Sequence, residues 1–172
     1  MRWGDFRELY PFGGKHLPIQ YHSNTQRNPV FLTESQLQRL SIMISMFSDL
    51  LSMANEQPDP QRLLFLFASA TATKKSRKQD DKKGTIEPTM VVDKLPEELE
   101  NFSGLVKEAD SINKNWDFMF IASLSGNKKQ APTSEDAQPY LDKMTDDIAA
   151  GNNVMRYVVF DREENPIELN AS

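Results

Sequence analysis

The run from Leu63 to Ala68 reads Leu-Leu-Phe-Leu-Phe-Ala, so a β-strand made from it would present hydrocarbon to both sides at once. Such a strand is stable only between layers, with other elements covering each face. That requirement fixes the class: a layered α/β domain with this strand near the middle of its sheet. The 172 residues are enough for one such domain with a sizeable core, and too few for two ordinary ones.

The flanking pattern supplies the covers. Thr33 with Gln36 has the form of a capping box, and Leu37, Leu40, Met43, Ile44, Phe47, Leu50, Leu51 and Ala54 follow at helical spacing. They predict a helix over 34–56 that stops before Pro58 and Pro60. Thr89 to Asp93 reads as a second strand. A helix opened by Pro96 is expected to carry Leu99, Phe102, Leu105, Val106, Ala109 and Ile112 on one stripe, with Glu97, Glu98 and Glu100 at its positive end. Trp116 to Leu124 reads as the third strand. Ala137, Tyr140, Leu141, Met144 and Ile148 mark a further helix, closed by Gly151, for which Asp136 is preferred to Thr133 as cap because Pro139 then falls in the first turn. Val154 to Phe160 and Ile167 to Leu169 complete the strands.

The expected architecture is therefore α/β, a mixed sheet of four or five strands covered by about three helices in the order α-β-β-α-β-α-β-β. Right-handed crossovers would set the strands around 63–68, 116–124 and 154–160 parallel. Residues 1–33 show no periodicity and are broken by Pro11, Gly13, Gly14, Pro18 and Pro29, which suggests an extended arm ahead of a single domain over 34–172. Residues 71–85 are expected to form a flexible lysine-rich loop, since they lack the apolar side chains that would offset the entropy of ordering.

Charge and cysteine content exclude whole chemistries. With no cysteine, disulfides, thiolate metal sites and sulfur nucleophiles are out of reach. The longest apolar run falls well short of the roughly 20 residues of a membrane span, and the N-terminus mixes Arg2 and Arg7 with Asp5 and Glu8 rather than forming a secretory signal, so a cytoplasmic location is expected. Net charge is −5, but residues 71–84 hold six basic and two acidic side chains against eight and seventeen in residues 85–172. An acidic body opposes the approach of a phosphate backbone to its one basic loop.

The strings PQRLLFLFASA, VVDKLPEELENFSGLVKEAD, NWDFMFIASLSG, APTSEDAQPYLDKMTDDIAAG and YVVFDREENPIEL, in that order, resemble a family of small bacterial proteins that carry the label ribonucleotide reductase subunit alpha. The resemblance spans roughly residues 46–169 and implies a small domain without an assigned activity. The chemistry in the label needs a thiyl radical and a cysteine pair, which a chain without sulfur nucleophiles cannot provide. Residues 1–42 and the lysine-rich segment lie outside the resemblance. Met43 and Met46 stand where it begins, so translation starting there, with the preceding arm a mis-annotated extension, is one expectation.

Candidate sites follow from topology, because open α/β sheets bind ligands beyond the carboxyl ends of parallel strands. Asp93, Ser125, Gly126 and Asp161 stand at such ends. Two carboxylates brought together could hold a hard cation or share a proton, and a Ser-Gly turn could offer amides to an anion. His16 and His22 lie in the arm without cysteine partners, and neither a metal nor a cofactor is expected. Lys74, Lys75, Arg77, Lys78, Lys82 and Lys83 could meet phosphates, though no aromatic is interleaved to stack on bases. The helix around Met43, Met46, Phe47 and Leu50 is the expected surface for a protein partner or a second copy. Together these favour a small non-catalytic binding or interaction domain. The alternatives are a hydrolase or phosphate-handling enzyme using Asp93 and Asp161, and nucleic-acid association through the lysine-rich loop.

Overall fold

The computed structural model describes residues 6–9, 19–23, 46–72 and 82–171. In chain order the elements are strands β1 (Arg7–Glu8) and β2 (Ile19–Ser23), helix α1 (Phe47–Asn55), strands β3 (Gln61–Ala72) and β4 (Lys82–Lys94), helix α2 (Phe102–Ile112), strand β5 (Phe118–Ser125), helix α3 (Ser134–Ala150), and strands β6 (Val158–Asp161) and β7 (Ile167–Ala171). From α1 onward this is the expected order. Among the described residues, no helix is long and apolar enough to cross a membrane.

The strands form one sheet in the order β6-β5-β3-β4-β2-β7, with β1 added to β4 on the same side as β2 and farther along the strand. Every pairing between them is antiparallel. This corrects the expectation that β3, β5 and β6 would be parallel. The strand β4 returns beside β3 as a hairpin, and β5 then joins the opposite side of β3, so the α2 crossover links β4 to β5 with β3 lying between them. Burial on both faces does not dictate strand direction when helices happen to cover both sides of an antiparallel sheet.

Alternation in β3 sorts the core into two halves. Leu63, Phe65 and Phe67 point to one face, where they meet Phe47 and Leu50 of α1, Phe102 and Leu105 of α2, and Trp116. Aromatic edges carry this half: Phe47 against Phe102 at 5.7 Å, Phe102 against Phe160 at 6.0 Å and Phe67 against Trp116 at 5.0 Å. Leu64, Leu66 and Ala68 point the other way, onto Ala137, Leu141, Met144 and Ile148 of α3 and onto Ile167 and Leu169 of β7. The first and last strands in spatial order, β6 and β7, are consecutive in sequence and meet at a Phe160–Pro166 bridge, so the sheet curls toward its α3 face.

Local chemistry explains where several boundaries depart from expectation. Lys82 to Pro88 extend β4, and Thr71 and Ala72 extend β3, so the lysine-rich loop is shorter than 71–85; residues 73–81 lie outside the described residues. Pro88 is tolerated inside β4 because the ladder slips between Phe67 and Ala68, leaving Thr89 opposite no residue and free to donate its hydroxyl to the Phe67 carbonyl at 3.0 Å. Pro96–Glu98 is a separate 3-10 turn, and α2 begins only after Asn101, whose side chain accepts the Gly104 amide at 2.8 Å. In α3 the cap is Thr133 rather than Asp136, because Thr133 and Asp136 cap each other reciprocally. Pro139 then sits inside the helix on its exposed face, where water can take the Glu135 carbonyl that loses its amide donor. Val154–Arg156 is likewise a 3-10 turn, and β6 starts at Val158. Of the helix expected over 34–56, the structure shows α1 from Phe47; residues 24–45 lie outside the described residues.

Candidate functional site

At the carboxyl end of β4, Asp93 pairs with Arg62 of β3, Oδ2 to guanidinium 2.6 Å, and accepts the Ser134 hydroxyl at 2.7 Å. Both charged side chains are largely buried, 11% and 14% exposed. The Arg62 Nε also donates to the Pro132 carbonyl. A cation placed at the head of an apolar strand thus fastens the start of α3 to the sheet, with Asp93 neutralising it.

Ser125 ends β5 directly opposite Gln61. Gln61 is 5% exposed, and its amide donates to the Asp59 carbonyl at 2.8 Å while its Oε1 accepts the Ser123 hydroxyl at 2.6 Å. The Ser125 hydroxyl lies 3.0 Å from the Gln61 amide nitrogen. By strand alternation Gln61 shares a face with Leu63, whereas Asp93 shares one with Leu64. Asp93 and Ser125 therefore occupy the same end of the sheet on opposite faces.

Gly126 directs its amide to the Pro60 carbonyl at 2.8 Å, and a Cβ there would overlap the Gln130 carbonyl oxygen. Glycine is required by the closeness of the turn, and its N–H is already committed, so the expected anion-binding pair of amides is not present. Asp161 stands opposite Phe118, at the other end of β5 from Ser125. It accepts the Glu163 amide at 2.8 Å, the Asn165 amide at 2.9 Å and the Asn165 side chain at 2.9 Å, and so closes the β6–β7 turn. Antiparallel pairing is what separates the two acids: the ends of β4 and β6 point to opposite edges of the sheet.

Two acid-centred clusters escaped sequence reasoning. Asp147, near the end of α3, accepts from Lys143 at 2.9 Å, Tyr157 at 2.9 Å and Asn153 at 3.2 Å. Burial works to raise its carboxyl pKa, but these donors outweigh it and hold the group below the usual carboxylate value. Burial, together with the same carboxylate, pushes the Tyr157 phenol well above its ordinary range. The Lys143–Asp147 spacing of four was the available signal. On the other face, Arg162 stacks over Trp116 at 4.2 Å and chelates Asp110 at 2.7 and 3.0 Å, while the Trp116 indole N–H also donates to Asp110 at 3.0 Å. No local pattern joins residues so far apart in the chain.

The remaining candidates divide plainly. Phe47 and Leu50 are 1% and 5% exposed, so they belong to the core and not to a docking surface. Uncovering either for a partner would forfeit about 1.5–3 kcal/mol. Met46 is exposed at the head of α1, and Met43 lies outside the described residues. Lys74, Lys75, Arg77, Lys78 and His16 also lie outside them; Lys82 and Lys83 stand on β4 and His22 on β2. Among the described residues no group of three or more acidic or histidine side chains could hold a metal ion. Comparison of the chain with protein-family models, curated proteins and solved structures finds no match.

Proposed function

We propose that this chain is a small non-catalytic binding or interaction domain. The observation that carries this is the separation of Asp93, Ser125 and Asp161, each occupied by hydrogen bonds that hold backbone segments together. A hydrolytic site needs a nucleophile or base within reach of one reacting atom, and these groups face different ends or faces of the sheet. The other acid clusters act in the same way, as fasteners of α3 to Tyr157 and of α2 to Arg162. Hydrolysis through Asp93 and Asp161 loses its geometric basis.

Screening the purified full chain against phosphomonoesters, phosphodiesters, carboxylic esters and amides tests this. Turnover is expected to match that of a D93N/D161N variant of the same fold, meaning none above background. Turnover by the native chain that this variant lacks would overturn the proposal.

A further inference from the structure

The sheet is open along one half of β5. On one side β5 pairs with β3 over its whole length, but on the other β6 covers only Phe118–Ile121. Among the described residues nothing pairs with Ala122–Ser125 on that second side. The chain ahead of β6 does not extend the ladder, because it forms the 3-10 turn Val154–Arg156, with the Arg156 and Tyr157 amides bonded to the Asn153 and Val154 carbonyls. Antiparallel pairing fixes which groups are left over. The Gly126 amide bonds the Pro60 carbonyl, one pair beyond Ser125–Gln61, so alternation turns the amides and carbonyls of Leu124 and Ala122 toward β3 and those of Ser123 and Ser125 outward. An added strand would find two donors and two acceptors there, at the spacing of a β-ladder.

This stretch carries none of the features that keep edges from pairing. It has no charge, no proline and no bulge, and Ser123 and Ser125 are exposed. Charge gathers at its two ends instead. Lys128 and Lys129 stand in the turn that follows β5, and Arg156 in the turn that precedes β6; all three are exposed. Residues 118–132 and 148–160, which include both strands and both turns, hold three basic side chains and no acidic one, against eight basic and seventeen acidic over residues 85–172. The open edge is thus bracketed by cations within an acidic half of the chain, so an extended segment with acidic side chains is attracted to it and disfavoured elsewhere on that half. Met155, 71% exposed beside Arg156, adds an adaptable apolar contact.

We infer that the free edge of β5, Ala122–Ser125, is a strand-addition site for an extended acidic segment of a partner protein. The inference rests on the interaction-domain proposal and names the surface and the chemistry of its partner. The test is amide exchange and chemical-shift mapping by nuclear magnetic resonance on the isotope-labelled full chain. Alone, the Ser123 and Ser125 amides are expected to exchange much faster than those of Ala122 and Leu124. A six-residue peptide of alternating glutamate and valine should then slow exchange and move resonances at Ser123 and Ser125, with an affinity that falls as salt is added. A peptide of alternating lysine and valine should leave them unchanged. K128E/K129E, at exposed turn positions, should weaken binding of the acidic peptide about tenfold, the scale of reversing two surface charges. Slow exchange at Ser123 and Ser125 in the peptide-free chain would overturn the inference, the edge then being covered by residues 24–45 if protection is independent of concentration, or by a second copy if it rises with concentration. So would no effect of the acidic peptide, equal binding of the two peptides, or binding indifferent to K128E/K129E. None of these outcomes touches the substrate screen, so the two proposals fail separately.

Discussion

Arg62 is the residue whose role is largest relative to its visibility in the sequence. It reads as a lone cation before an apolar run, yet it holds Asp93, the Pro132 carbonyl and Ser134 at one point. Removing one partner of a largely buried pair strands the other, so R62A is expected to cost about 3 kcal/mol in urea unfolding. R62A/D93A should then cost less than the sum of the single changes. Asp147 gives a pH prediction. Its carboxyl titrates lower in the folded than in the unfolded chain, so the unfolded state takes up protons first on acidification. The stability it contributes is complete above the ordinary carboxylate range, near pH 4, and is lost as pH falls through the folded value. D147N should flatten that acid limb, read from urea midpoints at several pH values. For Tyr157 the sign is reversed: its folded pKa is raised, so stability present below about pH 10 is lost as pH rises. Ultraviolet titration should find one phenol that ionises only as the chain unfolds, and Y157F should remove that late step.

At the scale of elements, periodicity succeeded where one face is apolar and the other polar. The α3 stripe of Ala137, Leu141, Met144 and Ile148 lies where its spacing put it. Periodicity failed where competing caps decide the boundary. Thr133 captures the start of α3 because its hydroxyl and the Asp136 carboxylate satisfy each other's amides, and this outweighs a proline within the helix. T133A is expected to lower stability by about 1 kcal/mol, measured by thermal or urea unfolding, with loss of helical signal confined to the first turn. Asn101 likewise steals the start of α2 from Pro96. Within the arm, β1 carried no strand signal, since a two-residue ladder is too short for alternation to register and owes its pairing to β4.

For the whole molecule, the layered class followed from one run of six apolar side chains, because no arrangement except burial between layers accommodates them. Strand direction did not follow. Apolar runs read the same forwards and backwards, and the choice between parallel and antiparallel lies in how β5 reaches β3, a long-range fact with no local sequence mark. Pairing direction decided the candidate site: β4 and β5 both run against β3 and leave Asp93 and Ser125 at one end of the sheet, while the antiparallel β5–β6 pairing sends Asp161 to the other. The cluster around Asp110 was hidden for the same reason, since Arg162 reaches it only once the sheet is assembled, whereas Asp147 gathers partners within ten residues of itself and offered only the Lys143 spacing as a mark. The most direct measurement is therefore nuclear Overhauser contact between backbone α-protons across the sheet. Antiparallel strands bring facing α-carbons to about 4.5 Å at every second pair. Strong cross-peaks are expected at alternate pairs among Leu64–Ala122, Phe65–Ile121 and Leu66–Phe120, and among Phe118–Asp161, Met119–Phe160 and Phe120–Val159. Their absence between β5 and β6, with the staggered amide-to-α contacts of a parallel pair in their place, would bring Asp161 to the end that holds Asp93 and Ser125 and contradict the account.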